Sequence, residues 1–156
     1  MVQPPLQLKQ YFFPRIHCEA DPNFKDRSSK EENQIEVKVQ SNQAHKKDNV
    51  RDWRVILDIQ VSSEKSTPYK LDLQVTGLFE VASGYSEDKI NDLIRITGTS
   101  ILYSGAREFV LGITSRGPWG PLQLPTLSFI DPNQPEGPKT KKPKKPKEGT
   151  TVKKPK

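Results

Sequence analysis

Apolar and polar residues alternate most strictly from Trp53 to Val61, where Trp53, Val55, Leu57, Ile59 and Val61 share one face and Arg54, Asp58 and Gln60 the other. That period of two predicts a half-buried strand. It returns in Tyr69, Leu71, Leu73 and Val75, opposed by Lys70, Asp72 and Gln74, after a polar connection from Ser62 to Pro68, so the two runs read as a hairpin. Ile35, Val37 and Val39 alternate with Glu36 and Lys38 to give an earlier strand, and the stretch from Lys9 to Glu19 is β-rich but interrupted by Pro14, which suits an edge or a bulge. These runs predict four antiparallel strands with one wet face.

Beyond Gly77 the period changes. Leu78, Phe79 and Val81 close the sheet region, and Ser86, Glu87 and Asp88 open a first helix through Ile90, Leu93, Ile94 and Ile96, the acids lying at the positive end of its dipole. Leu102, Ala106, Phe109, Val110 and Ile113 recur at spacings of three and four and predict a second helix, stopped by Gly117. Gly105 and Gly112 inside it each cost roughly 1 kcal/mol relative to alanine, which implies a close neighbour there and hints at an oligomer interface. The architecture is therefore α+β, a four-stranded antiparallel sheet with helices packed on one face.

From Pro118 to Asp131 three prolines and irregularly spaced Trp119, Leu122, Leu124, Leu127 and Phe129 predict an extended run over the surface. Beyond Asp131 the chain is Pro-rich and then an alternation of lysine and proline, too charged and too poor in apolar residues to fold. The chain of 156 residues thus divides into one domain over 1–136 and a disordered basic tail over 137–156.

Charge obeys the same division. The tail holds nine lysines against Glu148, a balance of +8, whereas the whole chain stands at +6, so the domain is near −2. The basic pI is a property of the tail and is no sign of a nucleic-acid-binding face on the domain. For the tail itself three readings stand: a solvated, disordered solubility tail, an electrostatic hook for acidic clients or for anionic lipid, the latter at about 1 kcal/mol per basic residue, and salt-sensitive, sequence-blind nucleic-acid contact.

Catalytic chemistry finds no foothold. His17 and His45 are the only imidazoles, no spacing suits zinc, and neither a phosphate loop nor a dinucleotide fingerprint is present, so no cofactor or metal is expected and the protein reads as a non-enzyme. Cys18 stands alone, which fits a reducing compartment; a surface His17 and a buried Cys18 are expected. The start Met-Val-Gln-Pro-Pro-Leu lacks the pattern of a signal peptide and no stretch approaches the ~20 apolar residues of a membrane helix, which predicts a cytoplasmic protein.

Ser104-Gly105-Ala106-Arg107-Glu108, then Ser115-Arg116-Gly117, then Pro121-Leu122-Gln123-Leu124-Pro125 up to Phe129 resemble, in this order and spacing, the SecB family of export chaperones. Gly77-Leu78-Phe79 is similar to the family's end of the fourth strand, and Trp53 falls where an aromatic opens the third. The resemblance covers roughly residues 10–131. It implies a subunit of a homotetramer, a dimer of dimers with helices sandwiched between, that holds unfolded or partly folded polypeptides in apolar surface grooves and passes them to the SecA translocation ATPase without ATP hydrolysis of its own.

Carried over residue by residue, the resemblance implies polypeptide binding by Trp119, Leu122, Leu124, Leu127 and Phe129, for each of which packing on the sheet is the competing role. It implies partner docking through Glu19 and Asp72 on the wet sheet face, although Arg15 stands where the family has an acid and Lys70 replaces an apolar neighbour. For Ile101, Leu102, Phe109 and Ile113 a tetramer interface competes with helix-to-sheet packing, and for Arg107 and Glu108 an ion pair competes with a client role; the structural role is favoured in both sets. In place of the family's terminal helix and its segment for SecA stand lysines and prolines. Three functions compete: a holdase for exported precursors, a dedicated chaperone of one unstable partner such as an antitoxin, and a basic-tailed adaptor for nucleic acid or a membrane surface.

Overall fold

The computed structural model describes residues 3–25, 35–61 and 67–130. Four strands, β1 (Leu6–Ala20), β2 (Val37–Lys46), β3 (Asn49–Val61) and β4 (Tyr69–Val81), form one antiparallel sheet in the order β1-β4-β3-β2. The alternating positions of β3 and β4 turn inward as expected: Val55, Leu57 and Ile59 are buried beside Leu71, Leu73 and Val75. Each such aliphatic side chain removed from water is worth about 1.5–3 kcal/mol. That is why this central hairpin carries the core.

The two outer strands are less apolar and longer than their patterns predict. β2 runs on through Ser41 to Lys46 and turns at Lys47 and Asp48 into β3, a hairpin with no apolar alternation in its second half. Backbone pairing to Leu57, Val55 and Trp53 holds this polar stretch in the sheet. β1 is the other edge, and its register with β4 slips between Leu8 and Gln10 and again between Phe12 and Arg15. The second slip contains Pro14, which has no N–H to offer a ladder and sits where a bulge tolerates it.

The two expected helices are one. A 3-10 turn (Glu87–Lys89), α1 (Ile90–Leu93), a π-helical turn (Ile94–Gly98) and α2 (Thr99–Thr114) succeed one another without a break. Ile90, Ile94, Leu102, Ala106 and Val110 stand at multiples of four residues and all five are buried; the wider π turn takes up part of the drift that a strict spacing of four builds in a helix of 3.6 residues per turn. No helix among the described residues is long and apolar enough to cross a membrane.

α2 ends at Thr114, and the next turn is fastened to the start of β4. Tyr69 Oη lies 2.8 Å from Gly120 O and 3.2 Å from Thr114 O, and accepts the Trp119 N–H at 3.2 Å. Gly117 has to be glycine here because a Cβ would run into that hydroxyl. The tail over 137–156 lies outside the described residues.

Candidate functional site

The stretch after Gly120 is extended, as expected, with no helix or strand through 121–129. It is a strap that runs back along the helix. Thr114 Oγ1 accepts the Leu122 N–H at 2.8 Å, Arg107 Nε donates to Leu124 O at 3.0 Å, Tyr103 Oη to Pro125 O at 2.8 Å, and Arg95 Nη1 to Phe129 O at 3.3 Å. Burial raises the Tyr103 phenol above its ordinary pKa, so it stays a donor. Arg107 therefore bonds the strap and makes no ion pair with Glu108, which is exposed.

The five residues expected to bind polypeptide separate into two sets. Leu122 and Leu124 are core residues, 4% and 0% exposed, so they hold the strap down and are out of a client's reach in this conformation. Trp119 is 39% exposed; its indole N–H donates to Asp21 O at 3.0 Å and its ring meets Phe24 edge-on at 5.3 Å. Leu127 and Phe129 are half-buried, with the Phe129 ring edge-on to Tyr103 at 5.7 Å. Ile130, which the sequence reading missed, is 61% exposed and extends the same border. Its signal was no more than an apolar residue at the end of a polar-flanked run.

A second apolar strip lies where β1 projects past the helix. Tyr11 and Ile16 sit opposite Gly77 and Leu73 on the inner face yet are about half exposed, and Phe13 stacks on Phe109 with centroids 4.2 Å apart. The residues expected at an oligomer interface divide here as well. Leu102 is buried against Gly77 and belongs to the core, whereas Ile101, Phe109 and Ile113 are half-buried along the helix flanks. The neighbour implied at Gly105 is Tyr11 of this chain, 3.5 Å from where a Cβ would stand, while Gly112 meets open space.

On the outer sheet face the expected docking residues are already engaged. Arg15 Nη2 reaches Asp58 at 2.8 Å and Asp72 at 2.9 Å, and Gln74 adds a bond to Asp58 at 2.9 Å. Hydrogen bonds to Asp72 and Asp58 raise the pKa of the guanidinium further, so it keeps its charge. Glu19 is exposed with His17 Nε2 at 3.6 Å. Phe12 and Leu78 stand exposed on the same face, beside the buried Thr76.

Cys18 is exposed rather than buried, because it lies on the part of β1 that the helix does not cover; partial desolvation raises its pKa. Among the described residues no group of three or more histidine, cysteine, aspartate or glutamate side chains is placed to hold a metal ion.

Comparison with known proteins points the same way as the fold. The family model described as SecB, preprotein translocase subunit SecB, matches residues 2–134. Among solved structures the chain is similar to a SecB-like chaperone of Mycobacterium tuberculosis in complex with a ChAD peptide from the HigA1 antitoxin, at 18% identity and a TM-score of 0.53, covering 79% of this chain and 91% of that one. A Streptococcus agalactiae protein of unknown function is similar at 14% identity and a TM-score of 0.43, over 78% of this chain and 97% of that one. No curated protein sequence matches significantly.

Proposed function

The chain belongs to the SecB family, and from that premise we propose that it is a cytoplasmic, non-enzymatic holdase that keeps unfolded precursor polypeptides extended for export, without cofactor or ATP. The observation that carries this reading is the set of apolar side chains Trp119, Leu127, Phe129 and Ile130, left wholly or partly accessible along the strap. Apolar contact is an interaction that any unfolded chain offers whatever its sequence.

The uncovered strip of Tyr11, Phe13 and Ile16, with Ile101, Phe109 and Ile113 on the helix flanks, supports assembly into a homotetramer. Docking of the SecA ATPase through Glu19 and Asp72 is weakened by Arg15, which pairs with Asp72 and Asp58 and offsets half of their joint charge before a partner arrives. The basic tail remains a solvated appendage in this reading.

Anisotropy of a labelled, permanently unfolded polypeptide tests it. Saturable binding that persists in high salt, and in a chain truncated after Gly137, is expected; binding that vanishes with salt or with the tail would leave an electrostatic adaptor. A client restricted to one partner, such as an antitoxin, is the second reading. The peptide held by the mycobacterial neighbour favours it, and binding of one partner with no affinity for generic unfolded chains would establish it.

A further inference from the structure

We infer that the outer face of the sheet holds a separate docking site, centred on Arg54, Leu78 and Phe12, for a short segment of a partner protein that sets a carboxylate beside an apolar side chain. The site lies away from the strap and does not depend on the holdase reading.

The register of the four strands lays this face out in rows. At one end Asp52 stands directly opposite Glu80, an unfavourable pairing of like charges, and each is held by a lysine from an edge strand, Asp52 by Lys46 at 3.0 Å and Glu80 by Lys9 at 2.8 Å. Further along, Arg15, Asp58, Asp72 and Gln74 form a second closed cluster. Between these two ends run two rows with no such pairing: Arg54 opposite Leu78 in one, and Ile56, Thr76 and Phe12 side by side in the next.

The charges at either end are therefore engaged with one another, and one is left over in the middle. Among the described residues the Arg54 guanidinium has no ion-pair or hydrogen-bond partner, and the residue is exposed. Phe12 is 43% and Leu78 37% exposed beside it. A cavity of about 590 Å³ opens over the first two rows, with the Lys9–Glu80 and Lys46–Asp52 pairs as its walls and Arg54 and Leu78 in its lining. An aromatic, an aliphatic and an arginine surrounded by charges already satisfied is the anatomy of a binding surface with its anchor points at the centre.

The dimensions restrict the occupant. Strands about 4.8 Å apart make the face about 14 Å across, and about 20 Å separate the two charged ends along the strands. That is about 280 Å², well short of the ~800 Å² that each partner buries in a standard interface between folded proteins. At about 3.3–3.6 Å per residue, an extended segment of about four residues crosses it.

Charge fixes the class of that segment. A lone guanidinium on an otherwise satisfied surface takes a carboxylate, through two parallel N–H···O bonds, while Leu78 and Phe12 take an aliphatic or aromatic neighbour of it. A basic segment, the chain's own lysine tail included, meets Arg54 as a like charge. In chemistry the site is thus the opposite of docking through Glu19 and Asp72, and Leu78 lies about 20 Å along β4 from Asp72.

The test uses the full chain and a short labelled peptide with leucine and phenylalanine between two glutamates, beside two companions: one with lysines for the glutamates, one with serines for the apolar pair. Saturable binding of the acidic peptide is expected, weaker by about tenfold or more for either companion and in Arg54→Gln or Leu78→Ser. Both substitutions fall on exposed side chains, so the circular dichroism spectrum is expected to stay that of the parent. Binding that ignores them and falls with Trp119→Ala would place the peptide on the strap and overturn the site, leaving the holdase reading intact. Tighter binding of the lysine peptide, lost in Asp72→Asn, would return the face to a basic partner. A sedimentation profile that moves to smaller species in Leu78→Ser would give the patch to a second copy of this chain. Either result, or no binding of the acidic peptide at all, sinks the proposal.

Discussion

Leu102 rests on the bare backbone of Gly77: a Cβ built on that glycine would stand 2.5 Å from Leu102 Cδ2 and 2.9 Å from the Phe79 ring. The helix reaches the sheet closely at this point because β4 offers no side chain there. Gly77→Ala is expected to destabilise the fold by about 1–3 kcal/mol, since Leu102 and Phe79 are both buried and have little room to yield. A lowered urea midpoint with an unchanged slope checks it.

Tyr69→Phe removes the hydroxyl shared by Thr114 O, Gly120 O and the Trp119 N–H. A loss of about 1–3 kcal/mol is expected, because the turn that launches the strap keeps buried polar groups without their partner. Trp119 emission should shift to the red in the native state; an unshifted spectrum would show that the turn is held by other contacts.

Arg15→Leu releases Asp58 and Asp72 on the outer sheet face. Thermal stability is expected to stay within the scatter of repeat melts, since the cluster is solvent-exposed and screened. Association with a basic partner should become faster and more steeply salt-dependent, read by stopped-flow at several ionic strengths. Equal rates for parent and variant would mean that these carboxylates take no part in docking.

Ile113→Asp and Leu102→Ala separate assembly from packing. The first places a charge on a half-buried helix flank and is expected to shift the sedimentation profile toward smaller species while the protomer keeps its circular dichroism spectrum. The second empties a core position and is expected to cost about 2–5 kcal/mol in stability. An unchanged profile for Ile113→Asp would remove that flank from the interface.

How far the chain could be read in advance depended on where its energetics are local. The β3–β4 hairpin was legible because burial on one face and water on the other impose a period of two. Pro14 likewise announced an edge strand, since a missing N–H is a local fact. The polar half of β2 was not legible, because its place is set by pairing with Val55 and Leu57 rather than by its own side chains. The single helix was read as two because the turn that joins its halves, Ile94–Gly98, is π-helical, a geometry with no local sequence signal.

The candidate site shows the same boundary. An extended, proline-rich strap with apolar residues is dictated by composition and spacing alone. Which of its side chains face solvent is not, because an irregular segment has no period from which a face can be read. Only the tertiary structure decided that Leu122 and Leu124 fill the core while Trp119 and Ile130 stay accessible, and that Arg15 bridges Asp58 and Asp72. Periodicity is written in the chain one residue after another; these contacts join positions that folding alone brings within a few ångströms.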